Sequence, residues 1–519
     1  MVETTAIPAM ESDAGQGRIW AFWLASSRAL AVVAASLCLT WVALANGQPF
    51  FHPDTVAYVR GPDVAVMKLF GERFATPWAR LQPIAATERQ AMAGNSAPKV
   101  ATYNDDEVLA GRSIYYGFLT YLGELTGGFW LTVLIQGLAV ALLVEITLRA
   151  LSIESVGAYA LVMAVIVLVT PAPFFVSLLM PDIWAGVAIG AAAALFALPH
   201  RLGWLDIAAL AAMIAFGALA HNSIPLVLIA MMAAGGLVWV LQRGAAADPR
   251  LGLAVCAGAL ALTLAGGLAF NLMVERSVGK PPLMPPFLTA RVIDDGPGAR
   301  FIREHCARQP FEVCRYAARL PMPTDDFLWG MTPKNGVFET ASHDSRRALG
   351  EEQVRFALAA VTAYPLQQAQ ASLKNTIAQL STTDLSDLTY KPSVRASLAG
   401  NLPAEHLSQL RASRAWREAL PLKLLQMLQT LALLTALSAA VWMTAHPRQT
   451  LTVEQDEDQS AAIAFTLLVV AGVFANAAVC GVLASLYGRY QARVVWCLPL
   501  AAMALAYVRP RSLRVIWRK

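Results

Sequence analysis

The stretch WVALANGQPFFHPDTVAYVR, residues 41–60, joins the end of an apolar run to a polar loop that carries an early carboxylate. The run, 20–45, exceeds the roughly 20 residues that a helix needs to cross a bilayer. Asp54 is therefore expected beside a membrane surface, where its carboxylate can take a proton from a hydroxyl group while a substrate's lipid tail stays in the membrane. The alternative is that Asp54 only caps a helix, because aspartate is a favoured N-cap residue.

The composition indicates a membrane protein with many spans. Of the 519 residues, 57% are hydrophobic and 14% are charged, whereas about a quarter of a typical soluble domain is charged. The net charge of +5 is modest, and the basic residues gather in short loops between apolar runs. That distribution is typical of membrane orientation and argues against a nucleic-acid partner. The sequence contains no Walker loop, zinc-finger spacing or dinucleotide fingerprint.

Apolar runs predict about ten transmembrane helices. They are 20–45, 128–148, 156–170, 184–198, 207–220, 224–241, 251–273, 419–444, 461–486 and 494–508. The first run is too long for the core of a cleavable signal peptide, so we expect a retained anchor. The predicted fold class is an all-α polytopic membrane protein with a mostly helical periplasmic domain.

The basic loops predict the orientation of the chain. With the N-terminus in the cytoplasm, Arg149, Arg201, Arg243 and the basic tail all fall inside, as the positive-inside rule requires. The predicted location is a bacterial inner membrane, with both termini cytoplasmic. The predicted divisions are a cytoplasmic tail 1–18, a transmembrane module 19–272 with a first periplasmic loop 46–127, a periplasmic soluble domain 273–416, transmembrane helices 417–508 and a basic cytoplasmic tail 509–519.

The two hydrophilic regions carry further predicted features. Amphipathic or interfacial helices are expected over 62–74, 81–92 and 114–125 in the first. Helices are expected over 299–307, 351–362 and 366–380 in the second. Cys306 and Cys314 lie eight residues apart in the second region, and an oxidising compartment favours a disulfide between them. The competing interpretation is a pair of buried thiols.

Polar residues remote in sequence are predicted to share the outer membrane face. Asp54 follows the first span, Asp182 precedes the fourth, His221 ends the fifth, and Arg489 and Arg493 precede the last. The first loop adds three more candidates, Tyr58, Arg112 and Tyr115. Paired carboxylates can supply a general base and a group that orients the acceptor or binds a divalent metal, and arginines can bind a phosphate bidentately.

Each of these residues also has a purely structural interpretation. Asp182 can serve as an N-cap, His221 can satisfy helix ends, and the two late arginines can bind lipid headgroups. The acidic clusters 105–107 and 325–326 are more typical of solvated loops than of metal sites.

The layout resembles the GT-C superfamily, polytopic glycosyltransferases that use polyprenyl-phosphate-linked sugars. The resemblance rests on PDTVAY at 53–58, GRSIYYG at 111–117, MPD at 180–182 and GRYQAR at 488–493. It implies that Asp54 takes the place of the family's first-loop catalytic aspartate, that Asp182 resembles the acidic residue of the second outer loop, and that Arg489 and Arg493 lie near the lipid phosphate. No adjacent Asp-Glu pair follows the first span and no Trp-Trp-Asp motif is present, which argues against protein mannosyl- and oligosaccharyltransferases.

The expected activity is sugar transfer from a polyprenyl-phosphate donor to a periplasmic lipid or glycan, with inversion at the anomeric carbon. Asp54 would be the base, Asp182 would orient the acceptor or a divalent metal, and Arg489, Arg493 and His221 would hold the donor phosphate. Tyr58, Arg112 and Tyr115 are further binding candidates. A transporter or flippase is the alternative. Many transporters have polar or broken helices near the membrane midplane and paired repeats. In this sequence the middle of the predicted spans is almost free of charge and no repeat is evident. The third hypothesis is a non-catalytic assembly partner.

Overall fold

The computed structural model describes residues 13–81, 108–241, 248–446 and 452–509, with side chains from residue 26 onward. Over these residues the protein is helical, and extended pairing is limited to two isolated bridges, Phe50–Leu178 and Leu109–Leu283. The predicted helix 81–92, the acidic cluster 105–107 and most of the basic tail lie outside the described residues.

The first half of the chain supplies eleven described α-helices, which we label in chain order. They are α1 (Asp13–Leu39), α2 (Trp41–Asn46), α3 (Thr55–Phe70), α4 (Ile114–Leu125), α5 (Trp130–Ala150), α6 (Val156–Val169), α7 (Ala172–Ser177), α8 (Ile183–Ala197), α9 (Trp204–Ala220), α10 (Ile224–Leu241) and α11 (Pro249–Val278). The helix predicted over 62–74 begins earlier, at Thr55, and is followed by a separate 3-10 turn at Glu72–Phe74. The first helix begins at Asp13, inside the segment predicted to be a tail.

The second half continues the series. Its α-helices are α12 (Phe287–Asp294), α13 (Pro297–His305), α14 (Thr324–Trp329), α15 (His343–Ala363), α16 (Pro365–Ser381), α17 (Pro392–Ala399), α18 (Ala404–Ala412), α19 (Leu422–Ala445), α20 (Val453–Leu483), α21 (Gly488–Val495) and α22 (Cys497–Val508). Pro365 separates α15 from α16, as its position in the sequence predicts.

Seven described segments are long and apolar enough to cross a membrane. They are Ser26–Asn46, Trp130–Ala150, Ile224–Leu241, Pro249–Val278, Leu422–Ala445, Val453–Leu483 and Gly488–Val508. The three other predicted spans correspond to shorter apolar helices, α6, α8 and α9, of 14, 15 and 17 residues. The protein is therefore a polytopic helical membrane protein, and the expectation of ten crossings stays a prediction.

Helix α8 lies at the centre of the bundle. Every residue of Ile183–Ala197 is buried, and the helix packs against α5, α9, α10, α20 and α21. Its glycines and alanines allow this close approach, because small side chains let helix backbones come together. At Gly186 a β-carbon would lie only 2.4 Å from Nε1 of Trp496 and 2.9 Å from the carbonyl oxygen of Arg493. The residue before α8, Asp182, is thereby brought against α21.

A short backbone pairing joins the two outer loops that carry Asp54 and Asp182. The amide of Phe50 donates to the carbonyl of Ser177 at 2.8 Å, and the amide of Leu179 donates to the carbonyl of Phe50 at 3.0 Å. The hydroxyl of Thr55 also donates to the carbonyl of Leu179, at 3.0 Å. These bonds hold the start of α3 beside the segment that leads into α8.

The region predicted as one soluble domain, 273–416, divides between two cores. Residues between Ala290 and Ala360 form a separate apolar core around Phe301, Phe327 and Phe356. In contrast, buried apolar residues between Leu385 and Ala415 belong to the main core of the bundle. The sequence shows that both parts are outside the apolar runs, but only the packing separates them.

Polar contacts attach the separate core to the end of α20. Arg291 donates to the carbonyl of Gly481 at 2.8 Å. Asp325 accepts hydrogen bonds from the hydroxyls of Ser485, at 2.8 Å, and Tyr487. Asp325 is thus an interface residue rather than part of a solvated loop. In the same core Cys306 and Cys314 form a disulfide, with their α-carbons 5.8 Å apart.

Candidate functional site

Two aspartates at helix N-termini bind arginines instead of capping their helices. Asp54 precedes α3 and Asp182 precedes α8, and neither side chain makes a capping hydrogen bond. Asp54 Oδ1 lies 2.6 Å from a terminal nitrogen of Arg112, and Asp182 Oδ1 lies 3.3 Å from a terminal nitrogen of Arg493. The N-cap interpretation therefore does not account for either carboxylate.

The Asp54–Arg112 pair is partly exposed to solvent. The Asp54 side chain is 23% exposed and that of Arg112 is 28% exposed. Burial raises the pKa of Asp54, but the charge of Arg112, with smaller contributions from His52 and Arg489, lowers it below its ordinary value overall. Asp54 is therefore a carboxylate at neutral pH, and Arg112 makes it a weak base in this arrangement.

His52 connects Asp54 to Arg489. A terminal nitrogen of Arg489 lies 2.7 Å from Nε2 of His52, and Nδ1 of His52 lies 3.7 Å from Asp54 Oδ2. Burial, followed by the charge of Arg489, lowers the pKa of His52 to about 3. The imidazole is therefore neutral at pH 7, and Nε2 accepts the hydrogen bond from Arg489.

Aromatic rings and a third carboxylate surround Arg489. Its guanidinium lies 5.3 Å from the ring centre of Tyr487 and 5.1 Å from that of Tyr490, within the range of a cation–π interaction. Asp387 Oδ2 lies 3.8 Å from Nε of Arg489, too far for a hydrogen bond. That Nε is buried and has no hydrogen-bond partner. Arg489 therefore keeps an unused hydrogen-bond donor in this group of residues, which with Asp54, Arg112, Asp182 and Arg493 is called the cluster below.

Arg493 is enclosed by protein groups. Its side chain is fully buried, and in addition to Asp182 it lies 3.0 Å from Nε2 of His221. Its other terminal nitrogen donates to Oγ of Ser223 at 2.8 Å and to Oδ1 of Asn476 at 3.1 Å. Burial and then the charge of Arg493 lower the pKa of His221 well below its ordinary value, so its imidazole is a neutral acceptor. Both terminal nitrogens of Arg493 are thus occupied.

The tyrosines of the first loop have different surroundings. Tyr58 is buried, and its ring packs edge-to-face on Tyr116 with the centres 5.1 Å apart. The hydroxyl of Tyr116 donates to Gln136 at 3.0 Å. Tyr115, the predicted binding residue, instead donates to the carbonyl of Gly266 in α11 at 2.9 Å. Tyr116, rather than the predicted binding residue Tyr115, therefore lies beside Tyr58.

The charges of the cluster balance. Its carboxylates are Asp54, Asp182 and Asp387, and its arginines are Arg112, Arg489 and Arg493. Asp182, the carboxylate predicted to orient the acceptor or a divalent metal, pairs with Arg493, and Asp54, the predicted base, pairs with Arg112. The positive charge of each arginine disfavours a divalent cation beside it. In the described part of the chain, no group of three or more His, Cys, Asp or Glu residues is arranged to hold a metal ion. Divalent-metal binding stays a prediction, and the arrangement present does not favour it.

Several residues of the cluster are not among the site residues predicted from the sequence. They are His52, Ser223, Asn476, Cys480 and Asp387. Asn476 was detectable, because a lone amide within an apolar run is costly in a membrane and often functional. His52 stands two residues before Asp54, but its bond to Arg489 spans 437 positions and has no local signature.

Taken together, the cluster offers a partly exposed carboxylate, two arginines within reach of it and a buried ion pair behind them. Such an arrangement can bind an anionic group and accept a proton beside it. Comparisons of the chain with protein-family models, curated proteins and solved structures find no match.

Proposed function

We propose that the protein is a membrane glycosyltransferase that moves a sugar from a polyprenyl-phosphate donor to a periplasmic lipid or glycan. The observation that carries this proposal is the difference in access within the cluster. Asp54 and Arg112 are 23% and 28% exposed, whereas Arg493 is fully buried. A substrate can therefore reach the carboxylate and arginine that the chemistry needs, while the deeper ion pair supports them.

Asp54 is proposed as the general base. It takes the proton of the acceptor hydroxyl as that oxygen bonds to the anomeric carbon. The bond from this carbon to the phosphate oxygen breaks, and its electron pair leaves with the polyprenyl phosphate. Attack opposite the leaving group inverts the anomeric centre. No metal is needed to balance this step, because the leaving phosphate takes the charge and Asp54 takes the proton.

The donor phosphate is proposed to bind Arg112 and Arg489. The position of Arg489 supports this, because it contacts His52, which lies beside Asp54, and a phosphate oxygen is a strong acceptor for a guanidinium N–H. In a cluster with balanced charges, the phosphate must compete with a carboxylate for its arginine. When it draws Arg112 away, the pKa of Asp54 rises towards its ordinary value and the carboxylate becomes a stronger base. Donor binding would in this way prepare Asp54 for the acceptor.

Arg493 and Asp182 are proposed as a positioning pair. The sequence predicts that both late arginines hold the phosphate, but the contacts of Arg493 favour a structural role, since its terminal nitrogens already have partners. Residues four apart lie on one helix face, so anchoring Arg493 orients Arg489 on α21. Asp182 would act through Arg493 rather than on the acceptor.

The proposed location is a bacterial inner membrane, with the cluster in the periplasm and both termini in the cytoplasm. The basic loops at Arg149 and Arg201 support this orientation. The Cys306–Cys314 disulfide supports an oxidising environment for the core attached beside the cluster.

The test is transfer by purified protein in lipid nanodiscs, using a panel of radiolabelled polyprenyl-phosphate sugars and an extract of envelope lipids and glycans as acceptors. Asp54→Asn should lower transfer about 10²–10⁴-fold, the usual contribution of a general base, while donor binding persists. Asp206→Asn is the matched control, because Asp206 also pairs with an arginine, Arg149 at 2.6 Å, away from the cluster. Unchanged transfer by Asp54→Asn would refute the assignment. Donor binding without transfer across the panel would favour a flippase. A protein that shows neither donor binding nor transfer would favour an assembly partner.

A further inference from the structure

Helix α16 lies against a helix that is long and apolar enough to cross the membrane. It packs on the C-terminal end of α20, where a β-carbon at Gly481 would lie only 2.8 Å from the carbonyl oxygen of Asn375. Just after α16, the carbonyl of Thr383 accepts a hydrogen bond at 3.2 Å from Gln426, which lies about one turn inside α19, another such helix. The end of α16 is therefore level with the ends of two membrane spans.

The polar side chains of α16 point towards the protein. Nε2 of Gln368 and Nδ2 of Asn375 each donate to Asp295 at 2.8 Å, one to each carboxylate oxygen. Nε2 of Gln379 donates to the carbonyl of Tyr487 at 2.8 Å. The three amide side chains are spaced by seven and four positions, so they share one side of the helix within about 40°. This side of α16 is its attachment to the rest of the protein.

The apolar side chains of α16 point away from the protein. Leu366, Leu373 and Ile377 are 79%, 63% and 58% exposed, so the described part of the chain leaves this apolar stripe largely uncovered. The stripe has the same spacing as the three amides but begins two positions earlier, which turns it about 160° away from them. A surface helix of a soluble domain has the reverse arrangement, with its apolar stripe against the core and its polar residues outward. The arrangement in α16 therefore favours an apolar environment outside the helix.

The surroundings of α20 show where that environment comes from. Leu467, Val470 and Phe474 of α20 are 36%, 36% and 55% exposed. They lie within about 40° of Gly481 around the helix, so α16 covers the end of the same face that these residues present. Exposed apolar residues within a crossing helix face lipid. The outward side of α16 is therefore directed at the lipid that surrounds α20.

The charge of α16 suits a membrane surface. The helix contains no acidic residue, and its one cationic residue, Lys374, is exposed. Lys374 lies about 60° from Ile377 around the helix, beside the apolar stripe. From such a position an ammonium group can reach a lipid phosphate while its alkyl stem lies along apolar surface.

We propose that α16 is a membrane-docked helix whose apolar stripe contacts the acyl chains of the leaflet beside the cluster, with Lys374 at the phosphate headgroups. The segment 365–381 is then a membrane-contacting part of the region predicted as a soluble domain, 273–416. The chain reaches Asp387 of the cluster six residues after α16, so the lipid contact holds one edge of the cluster at the membrane surface. The proposal stands independently of catalysis by Asp54.

The test uses phospholipids that carry a photoreactive diazirine in the acyl chain. Full-length protein in nanodiscs made with these lipids is irradiated, and labelling of its peptides is measured by mass spectrometry. Peptides covering 365–381 should be labelled to within several-fold of those covering 467–474, which serve as the internal reference. A labelled reference beside an unlabelled α16 would overturn the proposal. In that case, chemical crosslinks from Lys374 to a second copy of the chain or to the segment 82–107 would identify protein as the occupant.

Two variants make the test specific. Leu373→Glu and Ile377→Glu each place a carboxylate on the apolar stripe, where contact with lipid is costly, so each should lower lipid labelling of α16 several-fold. Gln367→Glu is the matched control, because it adds the same charge to the same helix but lies about 80° or more from both positions. Labelling that survives both Leu373→Glu and Ile377→Glu, or that falls equally in Gln367→Glu, would contradict the proposal.

Discussion

Arg112 and Asp54 lie 2.6 Å apart, although 58 positions separate them in the chain. Asp54 precedes α3, and Arg112 precedes Ser113, which is the N-cap residue of α4. The contact therefore joins the starts of these two helices. It lowers the pKa of the carboxyl group that is best placed to act as a base. The resting arrangement therefore holds Asp54 ionised and weakly basic, and displacement of Arg112 would change its strength as a base.

Replacing Arg112 with glutamine should raise the pKa of Asp54, because the nearest positive charge is removed. A base must be deprotonated, so activity is lost as pH falls through its pKa. The acid limb of the kcat/KM profile should therefore move to higher pH in Arg112→Gln. Stability follows the same sign: the wild-type pair stabilises the fold above the unfolded pKa of about 4 and loses that contribution as pH falls further. An acid limb that does not move would show that Arg112 does not control Asp54.

Arg489 and Arg493 should separate into a binding and a structural residue. Arg493→Gln leaves Asp182 buried without its ion pair, which typically costs about 3–5 kcal/mol, so the thermal midpoint should fall markedly. Arg489→Gln should lower polyprenyl-phosphate affinity with a smaller loss of stability. Combining Arg493→Gln with Asp182→Asn should recover part of the lost stability, because no uncompensated charge remains. A double variant no more stable than Arg493→Gln would contradict the pairing.

Asp325 should hold the segment that leads into α21. Asp325→Asn weakens its bonds to Ser485 and Tyr487, so amide hydrogen exchange over residues 484–488 should become faster. The adjacent Asp326→Asn is the matched control, because that side chain is exposed. Equal exchange in both variants would show that Asp325 does not restrain this segment.

The topology can be measured with reporter fusions. Fusions after Leu241 and after Thr444 should report the cytoplasm, and a fusion near Lys334 should report the periplasm. A cytoplasmic result at Lys334 would refute the proposed orientation, because the core containing this residue is attached through Asp325 beside the cluster.

The disulfide can be tested chemically. In protein purified without reductant, alkylation should leave Cys306 and Cys314 unmodified, and mass spectrometry should find their two peptides linked. The same protein, reduced before alkylation, serves as the control, because both thiols should then be modified. Alkylation of both residues before reduction would contradict the disulfide.

The sequence by itself determined the class of protein and the positions of its principal helices. Ile224–Leu241 has the bounds that the apolar pattern predicts, since a membrane requires each crossing segment to satisfy its own backbone and to be apolar over a fixed length. Those are local properties. The same reasoning also singled out Asp54, Asp182, His221 and Arg493, which follow or precede apolar runs at one face and which the fold brings into one cluster.

Only the tertiary structure decided which of these residues pair. Asp182 meets Arg493 across 311 positions because α8 and α21 touch at Gly186, and no local pattern encodes that contact. Tyr115 and Tyr116 are neighbours on one helix, yet about 100° of rotation separates their side chains, so one bonds to α11 and the other packs on Tyr58. A sequence shows which end of a helix a residue occupies, whereas helix rotation and packing, set by side chains far apart in the chain, determine its partner.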